Sequence, residues 1–206
     1  MHRTTWRRAM IGALAIATAS ITALTINTPS AGAVEPLLKA TLLDTGGNPV
    51  GTVILKGKSA IVSRIEVRLR AGAAPALGDF HGFHVHTTGV CDPAPSGTTN
   101  VPFGSAGGHW NPSAATHGGH AGDLPSVLIQ ANGKGFAEFD TDRFPVAALL
   151  DGDGSAVVLH AGRDNFANIP SAYSSGEPPV SGPNTATLGT GDAGGRFGCG
   201  VVEAIV

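Results

Sequence analysis

The chain has 206 residues, of which 14% are charged, and 13 lysines and arginines face 15 aspartates and glutamates, for a formal net charge of −2 at pH 7. This balance excludes a strongly basic surface, so no nucleic-acid partner is expected. The length suits one domain with a sizeable core and leaves no room for two large ones.

The first 33 residues have the features of a secretory signal peptide. They contain three arginines before residue 9, no acidic residue, an apolar stretch over 9–26 and the small-residue exit Ala31-Gly32-Ala33. Cleavage after Ala33 would leave a domain over 34–206, exported to the periplasm, the cell envelope or the extracellular space. A membrane anchor is the alternative, but serine and threonine dilute the apolar run, so no permanent anchor is expected.

Short segments of strand character recur along the rest of the chain. They are separated by clusters of glycine, proline, asparagine and aspartate, which are typical of turns. The pattern predicts strands at 37–43, 50–56, 60–69, 81–86, 127–130, 135–140, 155–161 and 198–205. Helical periodicity is weak and occurs only near 144–150. We therefore expect an all-β sandwich or barrel of about eight strands.

Two long segments, 88–125 and 162–197, do not follow the strand pattern. They are rich in glycine, proline, serine and threonine and poor in apolar periodicity, so both are predicted to be loops. Long ordered loops on a rigid β scaffold are usually functional. Disorder is the alternative, and composition favours it for 174–187.

Two cysteines, Cys91 and Cys199, stand near opposite ends of the predicted domain. In an exported protein such a pair is most simply interpreted as one disulfide that closes a long loop. A thiolate metal ligand is the alternative.

Histidines are concentrated in and beside the two long loops. In the segment GFHVH, His84 and His86 alternate with apolar residues, so in a strand both imidazoles lie on one face. The spacing His117-x-x-His120-x-x-Asp123 brings two imidazoles and a carboxylate into one tight loop. Imidazole is the commonest nitrogen ligand of copper and zinc. After residue 33 the chain has seven histidines: His81, His84, His86, His109, His117, His120 and His160. These are more ligands than one four-coordinate site uses, which predicts two sites that share a ligand.

The motifs GFHVH, GGHWNP, HAGD and VVLHAGRDN resemble those of the bacterial, exported type of copper/zinc superoxide dismutase, and the resemblance covers essentially all of 34–206. It implies an eight-stranded Greek-key β-barrel with two long functional loops. It also implies a copper site and a zinc site bridged by His109. The implied copper ligands are His84, His86, His109 and His160, and the implied zinc ligands are His109, His117, His120 and Asp123.

The resemblance implies further roles around the two metals. Asp164 would link His84 to His117 as an outer carboxylate, and Arg196 would stand beside the copper channel. Cys91 and Cys199 match the family disulfide. The remaining histidine, His81, resembles a structural histidine of the family and has no ligand role.

The implied activity is the dismutation of the superoxide anion to dioxygen and hydrogen peroxide, with copper alternating between Cu(II) and Cu(I). The implied catalytic residues are His109 and Arg196, and His109 would carry a proton in this cycle. A metal-buffering protein on the same fold is the alternative function, but Asp164 and Arg196 are not needed for storage. A copper-only enzyme is disfavoured by the complete zinc set. The family includes monomers and dimers, so the resemblance allows a homodimer but does not decide the oligomeric state.

Overall fold

The computed structural model describes residues 36–71, 78–96, 99–173 and 181–205. The predicted signal peptide and most of the proline-rich stretch after residue 173 lie outside these ranges. Among the described residues, no helix is both long and apolar enough to cross a bilayer.

Strands dominate the described structure. They are β1 (Leu37–Leu43), β2 (Pro49–Gly57), β3 (Ser63–Leu69), β4 (Asp79–His86), β5 (Ala94–Ser96), β6 (Thr99–Val101), β7 (Asp123–Ile129), β8 (Gly135–Thr141), β9 (Ala156–His160), β10 (Arg196–Val201) and β11 (Glu203–Ala204). Two 3₁₀ turns (Gly104–Ala106, Val146–Leu150) and one α-helix, α1 (Thr185–Thr190), complete the elements.

Eight of these strands form a closed antiparallel barrel. Their order is β10-β9-β4-β7-β8-β3-β2-β1, and β1 pairs with β10 to close the sheet. Because β4 lies between β7 and β9 rather than beside β3, the connections are of the Greek-key type. The predicted all-β, eight-stranded barrel is confirmed.

The barrel core follows the alternation of the sequence. In β1, Leu38, Ala40 and Leu42 are fully buried, while the residues between them are exposed. Strand β4 differs, because its two faces are both buried. Phe83 and Val85 point into the core, and the histidines that alternate with them lie on the opposite face beneath the long loops.

The predicted loops contain more regular structure than their composition indicates. The segment 88–125 includes the β5–β6 hairpin and a 3₁₀ turn, and β7 begins at Asp123 rather than at 127. Pro125, a residue that is rare within strands, obscured the first part of β7. The weak helical signal near 144–150 is a 3₁₀ turn, and the end of the second loop forms the short helix α1.

Helix α1 has few good helix formers, so its sequence does not predict it. The Oδ1 of Asn184 accepts a hydrogen bond from the backbone N–H of Thr187 at 2.9 Å and caps the first turn. Thr187 is fully buried, and its hydroxyl donates to Asp192 Oδ2 at 2.8 Å. Tertiary contacts therefore stabilise this helix.

Candidate metal centre

Adjacent strands of the barrel bring the histidines together. His84 of β4 pairs in register with Asp123 of β7 on one side and with Val158 of β9 on the other. His160 ends β9, two residues beyond Val158, and His109 forms a β-bridge with His86. Residues that are far apart in the chain thus meet on one outer face of the barrel.

The first group of potential ligands is a four-histidine cluster. The ligand atoms of His84, His86, His109 and His160 all lie within 4.8 Å of one another, and all four side chains are buried. Three buried nitrogens of this cluster have no hydrogen-bond partner among the described residues: His84 Nδ1, His86 Nε2 and His160 Nε2. Buried polar atoms are rarely left unpaired, so these nitrogens fit a bound metal ion.

The opposite nitrogen of each of these three rings is held in place. His84 Nε2 donates to Asp164 Oδ2 at 2.7 Å, and His86 Nδ1 donates to the Gly107 carbonyl at 3.0 Å. His160 Nδ1 donates to the Gly194 carbonyl at 3.1 Å. These bonds define the tautomer and aim the unpaired nitrogens at one point.

Burial keeps these three imidazoles neutral. It lowers the pKa of His84 to about 4, in spite of the hydrogen bond to Asp164. It lowers the pKa of His160 to about 3 and that of His86 well below its usual value. Each ring therefore has an available lone pair at neutral pH, which is the form that binds copper.

The second group is an aspartate cluster formed by His109, His117, His120 and Asp123. Asp123 Oδ1 lies 2.9, 3.2 and 3.1 Å from the Nδ1 atoms of His109, His117 and His120. The Nδ1 of His109 is 3.2 Å from that of His117 and 3.3 Å from that of His120. Tetrahedral zinc bonds of about 2.0–2.1 Å give ligand-to-ligand distances of about 3.3–3.4 Å, so these residues fit zinc.

His84 also lies within 4.8 Å of His109, His117 and Asp123. We assign it to the four-histidine cluster, because its Nε2 is engaged by Asp164 and its Nδ1 is one of the unpaired atoms. His109 is common to both clusters, with its Nδ1 in the aspartate cluster. Its Nε2 is then the atom available to the four-histidine cluster.

Asp164 connects the two clusters by hydrogen bonds to the Nε2 atoms of one histidine from each, opposite the Nδ1 atoms that face the clusters. One of its oxygens accepts from His84 Nε2, and the other accepts from His117 Nε2 at 2.8 Å. The close packing leaves no room beside it: a Cβ at Gly191 would overlap both the Asp164 carboxylate and the His117 ring. Gly191 also has a φ of +60°, which glycine adopts without strain.

The aspartate cluster carries paired charges. Burial opposes a charge on His117, but hydrogen bonds with Asp123 and Asp164 raise the pKa of His117 to about 9. Burial likewise opposes ionisation of Asp123, yet contacts with His109 and His117 hold its pKa well below its usual range. A positive charge is thus favoured between these carboxylates, whether it is a proton or a metal ion.

A cavity of about 430 Å³ leads to the four-histidine cluster. Its lining includes His86, His109, His160, Thr190, Asp192 and Arg196. The guanidinium of Arg196 donates to the carbonyls of Phe103 and Gly107, both at 2.5 Å, so the cation is fixed at the cavity wall. Gly107 O therefore accepts from both Arg196 and His86.

The predicted disulfide is present. Cys91 and Cys199 are joined with a Cα–Cα distance of 5.8 Å across 108 residues of sequence, and the described residues include no free cysteine. The bond attaches the loop after β4 to β10, three residues beyond Arg196. His81 is buried, with its Nδ1 3.1 Å from the His160 carbonyl, and it belongs to neither cluster.

Sequence reasoning missed several residues that support the site. The carbonyls of Gly107 and Gly194 orient imidazoles, and no sequence signal identifies an individual backbone acceptor. Phe166 stacks on His117 with ring centroids 6.3 Å apart, and Arg143 donates to carbonyls of the loop that carries His117 and His120. For Arg143, the only indication in the sequence was that the chain has few lysines and arginines.

An antiparallel barrel with two buried ligand clusters joined through one histidine defines the protein as a two-metal β-barrel protein. The sequence model of the family described as copper/zinc superoxide dismutase (SODC) matches residues 50–202. This match spans more than half of the chain, so the protein belongs to the copper/zinc superoxide dismutase family. Copper and zinc fit the four-histidine and aspartate clusters, respectively.

Individual relatives agree with this assignment. The chain is 42% identical over 128 residues to the Superoxide dismutase [Cu-Zn] of Mycolicibacterium paratuberculosis, covering 61% of this chain and 56% of the relative. It is 32% identical over 184 residues to that of Deinococcus radiodurans, covering 83% and 86%. The solved Cu/Zn superoxide dismutase from Brucella abortus superposes with a TM-score of 0.61 at 28% identity, covering 81% of this chain and 99% of that one. The first relative is thus matched over little more than half of its own length.

Proposed function

We propose that this protein catalyses the dismutation of superoxide: two superoxide anions and two protons yield dioxygen and hydrogen peroxide. The main observation is the set of three unpaired buried nitrogens at the end of an open cavity that is lined by Arg196. Family membership supports the same reaction. Copper held by His84, His86, His109 and His160 would supply the one-electron redox chemistry.

The surrounding residues have separate tasks in this proposal. The fixed guanidinium of Arg196 attracts and orients the substrate anion at the cavity wall. His109 would carry one of the two protons at Nε2, from solvent to the superoxide that is reduced, and solvent would supply the other. Asp123, His117 and His120 would hold zinc together with His109 Nδ1 and orient the His109 ring, while Asp164 fixes the orientation of the His84 and His117 rings through their Nε2 atoms.

A metal-buffering protein is the competing function, and the site does not favour it. Storage requires ligands, but it does not require an anion-binding arginine at the wall of an open cavity. Burial lowers the pKa of Arg196 and so disfavours its positive charge. The fold nevertheless holds this cation in place through the carbonyls of Phe103 and Gly107.

We further propose that residues 1–33 are a signal peptide and that 34–206 is the functional domain, exported from the cytoplasm. The disulfide supports this, because such bonds persist in oxidising compartments.

The decisive experiment measures the superoxide dismutation rate of purified 34–206 loaded with copper and zinc and freed of excess metal. We expect a fast rate that disappears on removal of copper and returns when copper is restored. The same protein loaded with zinc alone is the matched control. A slow rate with both metals bound would contradict the proposed activity and favour metal buffering.

Substitution of Arg196 by alanine should lower kcat/KM about 10- to 100-fold, because a fixed electrostatic stabiliser is removed from the cavity. Copper and zinc contents should stay at wild-type levels, since Arg196 is not a ligand. Steady-state kinetics with metal analysis would test this, and Arg196→Lys, which keeps the charge but not the paired donors, should give an intermediate rate. An unchanged rate in Arg196→Ala would restrict the residue to anchoring its loop.

Zinc should bind more tightly as the pH rises from 7 to about 9. His117, with its pKa raised to about 9, is protonated at pH 7, so zinc must displace that proton. Each pH unit below the pKa should therefore weaken zinc binding about tenfold. Calorimetric titration of copper-free protein in two buffers of different ionisation enthalpy should detect about one proton released per zinc at pH 7. A zinc affinity that is constant from pH 7 to 9 would contradict the prediction.

A further inference from the structure

Arg143, which follows β8, contacts the metal centre without being a ligand. Its Nη1 donates to the carbonyl of His120 at 2.7 Å, and its Nη2 donates to the carbonyl of Gly118 at 3.0 Å. Both acceptors belong to the segment 117–120, which we call the zinc loop. Its guanidinium therefore spans the loop that presents His117 and His120.

The same two loop residues are held from a second direction. The backbone N–H groups of Gly118 and His120 donate to Asp123 Oδ2, at 2.7 and 3.0 Å. Asp123 thus holds the loop with one oxygen and contributes the other to the aspartate cluster. Gly118 has a φ of +84°, a left-handed conformation that this tight loop requires.

The two N–H groups of Gly118 and His120 therefore donate to Asp123, and their two carbonyls accept from Arg143. The His120 carbonyl also accepts from the backbone N–H of Asp123 at 3.2 Å. A zinc loop held in this way loses little conformational freedom when zinc binds. The planar fork of arginine is suited to two acceptors at once, whereas a lysine ammonium is a flexible point charge.

We propose that Arg143 is a positioning residue of the zinc site, which holds the zinc loop in its ligand-presenting conformation. This inference rests on the proposed binding of zinc by His109, His117, His120 and Asp123. The direction of its effect is diagnostic. A cation near a metal ion repels it, so removal of Arg143 would strengthen zinc binding if the residue acted only through its charge. If Arg143 positions the zinc loop, its removal weakens zinc binding.

The test compares wild type with Arg143→Ala and Arg143→Lys, each without its signal peptide. The zinc dissociation constant is measured by competition with a chromophoric chelator, and Co²⁺ substituted for zinc reports ligand geometry by its visible absorption. Copper content and the circular dichroism of the metal-free protein are recorded in parallel. Arg68→Ala is the matched control, because Arg68 pairs with Glu66 and lies over the Phe136 ring instead of contacting the zinc loop.

We expect Arg143→Ala to weaken zinc binding about 10- to 100-fold, the range for loss of an outer partner of a metal ligand. Arg143→Lys should weaken it less, the Co²⁺ spectrum should change in both variants, and Arg68→Ala should match wild type. Copper content should not change.

Any of three results would overturn the inference. Unchanged or tighter zinc binding by Arg143→Ala, while wild type binds zinc, would refute positioning and leave the proposed function intact. Failure of wild type itself to bind zinc would instead refute the zinc site of the proposed function. If Arg143→Ala does not fold, Arg143→Lys decides, and wild-type zinc affinity together with a wild-type Co²⁺ spectrum in that variant would refute the role.

Discussion

Substitution of His160 by alanine should abolish copper binding and reduce dismutation to the rate of the metal-free protein. His160 contributes one of the three unpaired buried nitrogens, and its Nδ1 is already engaged by the Gly194 carbonyl, so no neighbouring atom replaces the lost ligand. Loss of an outer hydrogen bond to a metal ligand weakens metal binding by up to about 100-fold. Loss of the ligand His160 itself should weaken copper binding by more than that. Metal analysis and the dismutation rate of the same preparation would measure both effects.

The aspartate cluster does not include His160, so this variant should still bind zinc and keep its β-sheet circular dichroism. His81→Ala provides the control for loss of a buried imidazole that belongs to neither cluster. It should reduce thermal stability while retaining copper. Full copper occupancy and a wild-type rate in His160→Ala would remove His160 from the ligand set.

The second large effect is expected from Asp123→Ala, which should abolish zinc binding and loosen the zinc loop. Asp123 contributes Oδ1 to the aspartate cluster, and its Oδ2 accepts from the N–H groups of Gly118 and His120. Loss of the carboxylate leaves two N–H groups without their acceptor. The free energy of unfolding of the metal-free protein should therefore fall by about 2–4 kcal/mol. Zinc titration and denaturant unfolding would measure the two losses.

Asp123→Asn separates the two tasks of this side chain. The amide keeps one oxygen but loses the negative charge, so zinc affinity should drop strongly, while stability should fall less than in the alanine variant. Copper affinity should fall less than in His160→Ala in either case, because Asp123 lies outside the four-histidine cluster and contacts it only through His109 Nδ1. Wild-type zinc content in Asp123→Ala would exclude it as a ligand.

The four substitutions should differ in their effects on copper binding, zinc binding and the dismutation rate. His160→Ala should affect copper alone, and Asp123→Ala should affect zinc. Arg196→Ala should lower the rate with both metals present, and Arg143→Ala should weaken zinc without removing a ligand. The protein thus offers a separate experimental readout for ligand supply, loop positioning and anion attraction.

Much of the fold could be predicted because the strand signal is local. The alternation in β1 and the turn-forming clusters between strands determine which residues face the core, independently of distant parts of the chain. The prediction was wrong where local signals conflict with tertiary contacts. Pro125 obscured the start of β7, and α1 forms because Asn184 caps it and Thr187 is buried.

The sequence by itself determined that the chain is an all-β protein with histidines in metal-binding patterns, since residue type, spacing and motif carry that information. Only the tertiary structure decided which nitrogen of each imidazole is left for a metal. That choice depends on backbone carbonyls, such as those of Gly107 and Gly194, whose positions follow from folding rather than residue type. Arg143 is a similar case, because its carbonyl acceptors lie 23 and 25 residues away in the chain and meet it only when β7 and β8 pair.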